Sequence, residues 1–225
     1  MQIKMIPASR PVDWYKQGWM LFAKDMTTWV LMALVMGIGG FVLNFLPILG
    51  QIAILVLLPA LIGGLLYSAQ QASEGKPLKL EYLWKVLLDK DKRNQFLGLG
   101  GILFGLAAMV GIISVVFVGD SLLRGATAGV GGIGIGGVLF LLIVGFASFV
   151  LFYYTTALML FRELSLFDAL TLCASTAVTQ VVPLFVLFLM YSVLSLVAVI
   201  PLGLGMLVLI PVTAGAVFVG YKEIF

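Results

Sequence analysis

The chain has 225 residues, of which 62% are hydrophobic and 10% are charged, whereas soluble domains are about 45–50% apolar and about 25% charged. This composition excludes an ordinary soluble domain and indicates an integral membrane protein. A net charge of +3 comes with no histidine and a single cysteine, Cys173, so an internal disulfide is excluded and the commonest general base and metal ligand are missing.

The segment before the first long apolar run has the pattern of an amphipathic helix. Tyr15, Gly18, Trp19 and Phe22 recur with helical spacing, and charged residues occupy the other faces. Tryptophan is enriched where a membrane meets water. We therefore expect an interfacial helix, which Trp14, Trp19 and Phe22 anchor together with Trp84 of a later segment.

Six apolar runs are long enough to cross the bilayer, since a helix needs about 20 residues to span about 30 Å of hydrocarbon. They cover residues 28–45, 51–71, 96–118, 135–160, 183–200 and 204–222. The runs do not alternate between apolar and polar residues, as strands of a membrane barrel do. The sequence predicts an all-α membrane protein with six transmembrane helices.

The distribution of basic residues predicts the orientation of these spans. Of the 13 lysines and arginines, all but Arg124 fall on the side of the predicted membrane that also holds both termini. Because lysine and arginine concentrate in cytoplasmic loops, both termini are predicted to be cytoplasmic.

Two further amphipathic segments precede the third and fifth spans. In the second segment, Leu80, Leu83, Trp84 and Leu87 share a face, and Glu81 and Lys85 have the spacing of a helical ion pair. The third begins with Ser165 and Asp168, which have the spacing of a capping box. Each repeat is therefore predicted to consist of a cytoplasmic amphipathic helix followed by a transmembrane hairpin.

Three such units form an internal repeat within a single membrane domain, 1–225. An acidic residue, Asp13, Glu81 or Asp168, precedes the start of the next span by fifteen positions in each unit. The first and last hairpins also share two prolines, in PILGQIAILVLLPALIGG and PLGLGMLVLIPVTAGA. We predict parallel repeats over 9–72, 78–161 and 165–225, an arrangement less typical of transporters than inverted repeats.

The opening PASRPVDWYKQGWMLFAKDMTTWVL, with Ser9-Arg10, Trp14, Gly18 and Leu21-Phe22, resembles a family of uncharacterised six-span inner-membrane proteins of proteobacteria. The helix-and-hairpin repeat is more distantly similar to the membrane domain beside some glycerophosphodiesterases. The resemblance implies a multi-pass protein of the bacterial inner membrane. It implies no activity, because the first family has none established and the phosphodiesterase domain is not part of this sequence.

Three kinds of residue are candidates for function. Pairs of small residues predict close helix packing: Gly101 and Gly105, Gly132 and Gly136, and Ala216 and Gly220. Pro59 and Pro211 each free a backbone carbonyl and predict either a packing kink or part of a pathway. Asn44 and Gln51, which flank one outer turn, are the strongest candidates for polar pathway residues.

A G-x-G-x-x-G pattern at Gly129, Gly131 and Gly134 resembles a dinucleotide fingerprint. Neither the strand before it nor the acidic residue about twenty positions after it is present. We therefore predict no cofactor site and expect residues Gly125 to Gly134 to form a flexible outer loop or a frayed helix entrance.

The function predicted first is a non-catalytic accessory, assembly or scaffold component that binds other membrane proteins or itself. The predicted spans of this chain carry no charged residue, so a buried proton relay is not expected. Without histidine, no Ser-His-Asp triad is possible. The alternative is a permease or lipid-handling protein for a small solute or lipid. The bilayer is also a predicted partner, with anionic lipid at its cytoplasmic face. No nucleic-acid partner is predicted. Protection against a membrane-acting toxin has no sequence feature of its own.

Overall fold

The computed structural model describes residues 6–125 and 135–225, apart from the side chains of 113–125, 135, 136 and 138. Segment 126–134, which contains Gly132 and the G-x-G-x-x-G pattern, lies outside the described residues. The prediction about its flexibility therefore stays a prediction.

Six helices are long and apolar enough to cross a membrane, and they identify a multi-pass membrane protein. They are α2 (Met26–Asn44), α3 (Leu49–Ser73), α5 (Lys90–Gly125), α6 (Ile135–Phe161), α8 (Val181–Val199) and α9 (Met206–Ile224). The prediction of six spans is confirmed, and the elements of the described residues are all helices.

The third span starts six residues earlier than its apolar run predicts. Asp89 precedes α5, and its carboxylate accepts hydrogen bonds from the backbone N–H groups of Asp91 and Lys92. A carboxylate in this position satisfies donors that a helix start leaves free. The helix therefore begins at Lys90, among polar residues, rather than at Phe96, where the apolar run begins.

Three segments that do not span precede the three hairpins. Two are helices of fourteen residues, α1 (Arg10–Ala23) and α7 (Leu166–Thr179), and the hydroxyl of Ser165 caps α7 by accepting from the N–H of Asp168. The segment between them is a 3₁₀ turn, Leu80–Trp84, followed by one helical turn, α4 (Lys85–Leu88).

The predicted ion pair between Glu81 and Lys85 is wrong. Positions four apart meet on an α-helix but not on the tighter 3₁₀ turn that this segment forms. Glu81 instead lies 3.4 Å from the ammonium of Lys79, and the ammonium of Lys85 lies over the ring of Tyr67, 5.9 Å from its centre.

Helix α1 packs along α9 in the antiparallel direction. At its start, Arg10 pairs with Glu223 at 2.8 Å, and the indole N–H of Trp14 donates to the same carboxylate at 2.6 Å. Two turns later Gly18 meets Gly215 and Ala216, with so little space that a Cβ on Gly18 would lie 2.5 Å from the carbonyl oxygen of Val212. Tyr15, Gly18 and Phe22 of the predicted apolar face of α1 are therefore buried against protein, whereas Trp19 of that face is half exposed.

Helix α9 is the most buried of the spans, and α3 is the next. Ala214, Ala216 and Val217 of α9 are fully enclosed, as are Leu65 and Leu66 of α3. The core therefore lies around the second half of these two helices, near the end of the bundle where α1 begins and α9 ends.

Basic side chains gather at that end of the bundle, which we call the basic end. There Lys24 donates to the carbonyl of Ala72, Lys92 to Glu163, and Arg162 to the carbonyl of Phe225. The α2–α3 and α8–α9 turns lie at the opposite end.

The contact at Gly18 generates the first prediction. We expect Gly18→Ala to lower the free energy of unfolding by about 1–3 kcal/mol, the usual cost of forcing extra volume into a packed site, because the backbone of α9 cannot yield locally. Thermal unfolding in detergent measures this loss.

Gly37→Ala is the matched control, since nothing lies within 4 Å of a Cβ at Gly37. Alanine favours helix over glycine by up to about 1 kcal/mol, so this control is expected to unfold at the same temperature or higher. Equal stability of the two variants would contradict the described packing of α1.

Candidate functional site

A cavity of about 630 Å³ lies among the spanning helices, and all six of them contribute to its wall. Met36 of α2, Leu58 of α3, Leu103 of α5, Phe149 of α6 and Tyr191 of α8 line it, and Ile210 of α9 completes the ring. Its volume falls within the roughly 300–1,000 Å³ of ligand pockets in proteins. The cavity is only partly enclosed by the described residues.

The cavity wall is almost entirely apolar. Among its described lining residues, Ser148, Tyr153 and Tyr191 carry the polar side-chain atoms, and none carries a formal charge at neutral pH. Water in a buried site needs two to four polar partners, and roomy apolar cavities stay dry. The wall therefore suits a hydrocarbon group better than water or a polar solute.

Aromatic rings form one side of the cavity. The ring of Phe149 lies 4.8 Å from that of Tyr153, 5.3 Å from that of Tyr191 and 5.8 Å from that of Phe188, between centres. The Phe188 ring packs against Gly145, where a Cβ would lie only 3.1 Å from the ring. These mutually packed rings form a firm wall.

A second, polar space lies at the basic end, between α3, α4, α5 and α6. It consists of two adjoining clefts of about 170 and 380 Å³, which share Asp89 and Lys92 as a common wall. We call the pair the basic-end cleft. Its other polar lining residues are Tyr67, Gln70 and Lys85 on one side of that wall and Asp91, Gln95 and Glu163 on the other.

The cavity and the basic-end cleft lie along the same two helices. On α5, Phe96 borders the cleft and Leu103 the cavity; on α6, Met159 borders the cleft and Phe152 the cavity. Each pair is seven residues apart, which is about 10 Å along a helix. The two spaces therefore lie about 10 Å apart along these helices, and Leu99 and Thr155, which lie between them, are fully buried.

The predicted small-residue pairs divide between two environments. Ala216 and Gly220 are buried, and a Cβ on Gly220 would come within 3.0 Å of the Trp14 ring. Gly101 and Gly105 are exposed, and a Cβ on either would meet no atom within 4 Å. Gly136 lies in α6.

Gly100, which the sequence did not single out, makes the close contact of α5 with α3. A Cβ on Gly100 has no room beside the backbone of Val56. Its position next to the Gly101–Gly105 pair shows why spacing alone missed it: several glycines in a row leave the inward face undetermined.

The predicted pathway residues do not line the cavity. Pro59 and Pro211 are both buried inside their helices, and their neighbours Leu58 and Ile210 reach the cavity instead. Asn44 is exposed and donates to the carbonyl of Gly40 in its own helix, and Gln51 is also exposed. The aromatic residues of α6 and α8, which the sequence did not single out, form most of the polar and aromatic wall.

The predicted interfacial anchors also divide. Trp14 and Phe22 are buried against other helices, whereas Trp19 and Trp84 are 49% and 41% exposed. An interfacial anchor must reach the lipid headgroups. The anchoring prediction therefore now rests on Trp19 and Trp84.

No protein family, curated protein or solved structure matches this chain. Within the described residues, no three histidine, cysteine, aspartate or glutamate side chains gather where they could hold a metal ion.

The thiol of Cys173 on α7 is buried, donates to the carbonyl of Val150 and has a pKa that burial raises to about 11. Because the thiolate is the reactive form, we expect Cys173 to react slowly with a membrane-permeable maleimide at pH 8. The rate is expected to rise about tenfold per pH unit up to that pKa.

Cys173→Ala combined with Ser175→Cys places a thiol on the exposed face of the same helix. This control is expected to react at the rate of a free thiol. Equally rapid modification of Cys173 in the folded protein would contradict its described burial.

Proposed function

We propose that this protein binds the hydrocarbon chain of a lipid in the cavity between its six spans and acts as a non-catalytic lipid-handling protein. The observation that carries the proposal is the cavity itself: about 630 Å³, partly open, and walled by apolar and aromatic side chains of every span. Of the functions that the sequence left open, lipid handling is the one that this geometry favours.

The environment of the cavity supports a lipid chain as its occupant. An empty space of this size deprives the atoms of its wall of their dispersion contacts. Water gains little there, because the wall offers few polar partners. A lipid chain from the surrounding bilayer restores those contacts, and the cavity is open enough to admit one.

We further propose that the basic end faces the cytoplasm of a bacterium and that the spans cross its inner membrane. The concentration of lysine and arginine at this end supports the orientation. Exposed Trp19 and Trp84 are then positioned to contact lipid headgroups, including anionic ones.

We also propose that the three repeats, 9–72, 78–161 and 165–225, close into a ring. Gly18, Val86 and Cys173 each lie five positions after the acidic residue of their repeat. Each contacts the second span of another repeat: Gly18 meets Gly215 of α9, Val86 meets Gly63 of α3, and Cys173 meets Val150 of α6. These equivalent contacts support a ring around a central space.

Cross-linking tests the occupancy of the cavity. We expect a fatty acid with a diazirine in its chain, added to the protein in phosphatidylcholine nanodiscs, to label Phe149 or Tyr153 on illumination. Both side chains are less than 8% exposed, so lipid outside the bundle does not reach them. Mass spectrometry of the peptides locates the label, with Leu196, which is 74% exposed, as the reference.

Ala107→Phe and Ala108→Phe are the matched variants. Ala107 lines the cavity and Ala108, the next residue on α5, does not. Filling the cavity at 107 is expected to lower labelling of Phe149 and Tyr153 several-fold relative to Leu196, and the change at 108 is expected to leave that ratio unchanged. Labelling of Leu196 without labelling of the cavity would contradict the proposal.

A second candidate function is the accessory, assembly or scaffold role. Gly101 and Gly105 favour it, because they form an outward face on α5 where another helix can approach closely. Ala216 and Gly220 do not serve this role, since α1 and α6 of the same chain already pack against them.

The scaffold role predicts a complex with another membrane protein or a second copy. Gly105→Leu is expected to break that complex, because the larger side chain holds the partner helix away, whereas Gly37→Leu is expected to preserve it. Light scattering and mass spectrometry after purification in a mild detergent measure both. A monomer without a bound protein, for the unaltered chain, would contradict this candidate.

A further inference from the structure

The wall of the cavity has two chemically different sides. Among its described lining residues, every aromatic ring belongs to α6 or α8, whereas the residues of α2, α3, α5 and α9 are aliphatic apart from Met36 and Gly111. Aliphatic walls gain dispersion contacts from a chain, and aromatic rings prefer to pack with another ring. The wall therefore favours a ligand that has both a flexible chain and a flat ring.

Three hydroxyl groups of the wall, those of Ser148 and Tyr153 on α6 and of Tyr191 on α8, have no hydrogen-bond partner among the described residues. Other hydroxyls of α8 are already engaged: Ser192 and Ser195 donate to the carbonyl groups four residues before them. The aromatic side of the cavity therefore offers hydrogen bonds that the protein itself does not use.

The hydroxyl of Tyr153 is open to the cavity. Only 6% of Tyr153 is exposed, and the space that it borders is the cavity. The hydroxyl of Tyr154, the next residue, is enclosed and lacks a partner within the described chain, whereas that of Tyr153 is not enclosed. The rings of Tyr153 and Tyr191 lie 4.8 and 5.3 Å from that of Phe149, so both belong to the same part of the wall.

The polar part of a ligand in this cavity must be uncharged. The described lining residues carry no formal charge at neutral pH, and an ionised phosphate or carboxylate is strongly disfavoured in an apolar site without an opposite charge. A phenol hydroxyl donates one hydrogen bond. The two tyrosines therefore favour an uncharged group that accepts hydrogen bonds.

We propose that the cavity binds a prenyl quinone, with its ring among Phe149, Tyr153 and Tyr191 and its isoprenoid chain against the aliphatic side. The inference rests on the proposed function, because it names the class of lipid whose hydrocarbon chain the cavity holds. The quinone ring is flat and uncharged and packs against aromatic rings. Its carbonyl oxygens accept hydrogen bonds from the hydroxyls of Tyr153 and Tyr191.

Other uncharged lipids use only part of this wall. A hydrocarbon chain alone leaves both tyrosine hydroxyls without an acceptor, and a buried polar group without a partner is unfavourable. A diacylglycerol supplies ester carbonyls as acceptors, but it has a branched glycerol in place of a ring. A quinone uses both the rings and the hydroxyls.

Competition against the diazirine-bearing fatty acid tests the proposal, with the full chain in phosphatidylcholine nanodiscs. Decylnaphthoquinone and decylnaphthalene are the competitors, because they share the chain and the fused rings and differ in the carbonyl oxygens. At equal mole fraction in the lipid, the quinone is expected to lower labelling of Phe149 several-fold more than the hydrocarbon does. Labelling of Leu196 is the reference, which corrects for loss of reagent in the bilayer.

Tyr153→Phe and Tyr191→Phe each remove one hydroxyl and keep the ring. Each is expected to reduce the advantage of the quinone, and the double variant is expected to abolish it while competition by the hydrocarbon stays unchanged. Tyr154→Phe is the matched control, since it removes the same group from a residue that does not line the cavity. This control is expected to keep the full advantage, and an equal loss there would contradict the role of the two cavity hydroxyls.

The remaining outcomes separate this proposal from the proposed function. Equal competition by the two compounds, with Phe149 still labelled, would overturn the quinone assignment and leave the binding of a lipid chain standing. Stronger competition by dioctanoylglycerol than by the quinone would also overturn the assignment, in favour of another neutral lipid. Absence of labelling at both Phe149 and Tyr153 in the unaltered chain would overturn both proposals.

Discussion

The contact between α1 and α9 is the interaction on which the arrangement of the bundle depends. It joins the two ends of the chain, from Arg10 and Trp14 at Glu223 to Gly18 at Gly215. Because glycine meets glycine there, the two backbones approach closely, and the buried face of α1 covers the most enclosed span. Helix α9 then has α1, α2, α3, α6 and α8 as neighbours.

Shape determines the contacts of helices in a hydrocarbon solvent, since lipid tails are as apolar as the side chains themselves. Where glycines such as Gly64 and Gly100 lie between segments, the backbones approach closely, since a Cβ at either position would meet backbone atoms of Leu83 or Val56. Where large rings such as Phe149 and Phe188 meet, the helices stay apart and a space remains between them. The same rule therefore accounts for the tight core at the basic end and for the cavity beside it.

The sequence predicts the membrane class and the six spans because a run of apolar residues as long as the bilayer is thick has few other interpretations. It also predicts α1 and α7, whose apolar positions follow helical spacing. It does not predict which surface those positions contact: the pattern of Trp14 and Phe22 is the same whether the helix lies on lipid or on α9. Contacts between residues some 200 positions apart carry no local signal.

The cavity was not predictable for a related reason. Each residue of its wall is of a type common in any transmembrane helix. Only the arrangement of these residues in space leaves a void between them. The polar residues that attract attention in the sequence, Asn44 and Gln51, are exposed instead. In an apolar chain, a binding site for an apolar ligand is distinguished by volume and not by residue type.

An experimental density map of the protein crystallised from a lipidic mesophase that contains phosphatidylethanolamine tests the central claim most directly. The account predicts continuous, chain-shaped density in the cavity beside Phe149 and Tyr191. A cavity closed by its own side chains, or one filled with discrete waters, would contradict it.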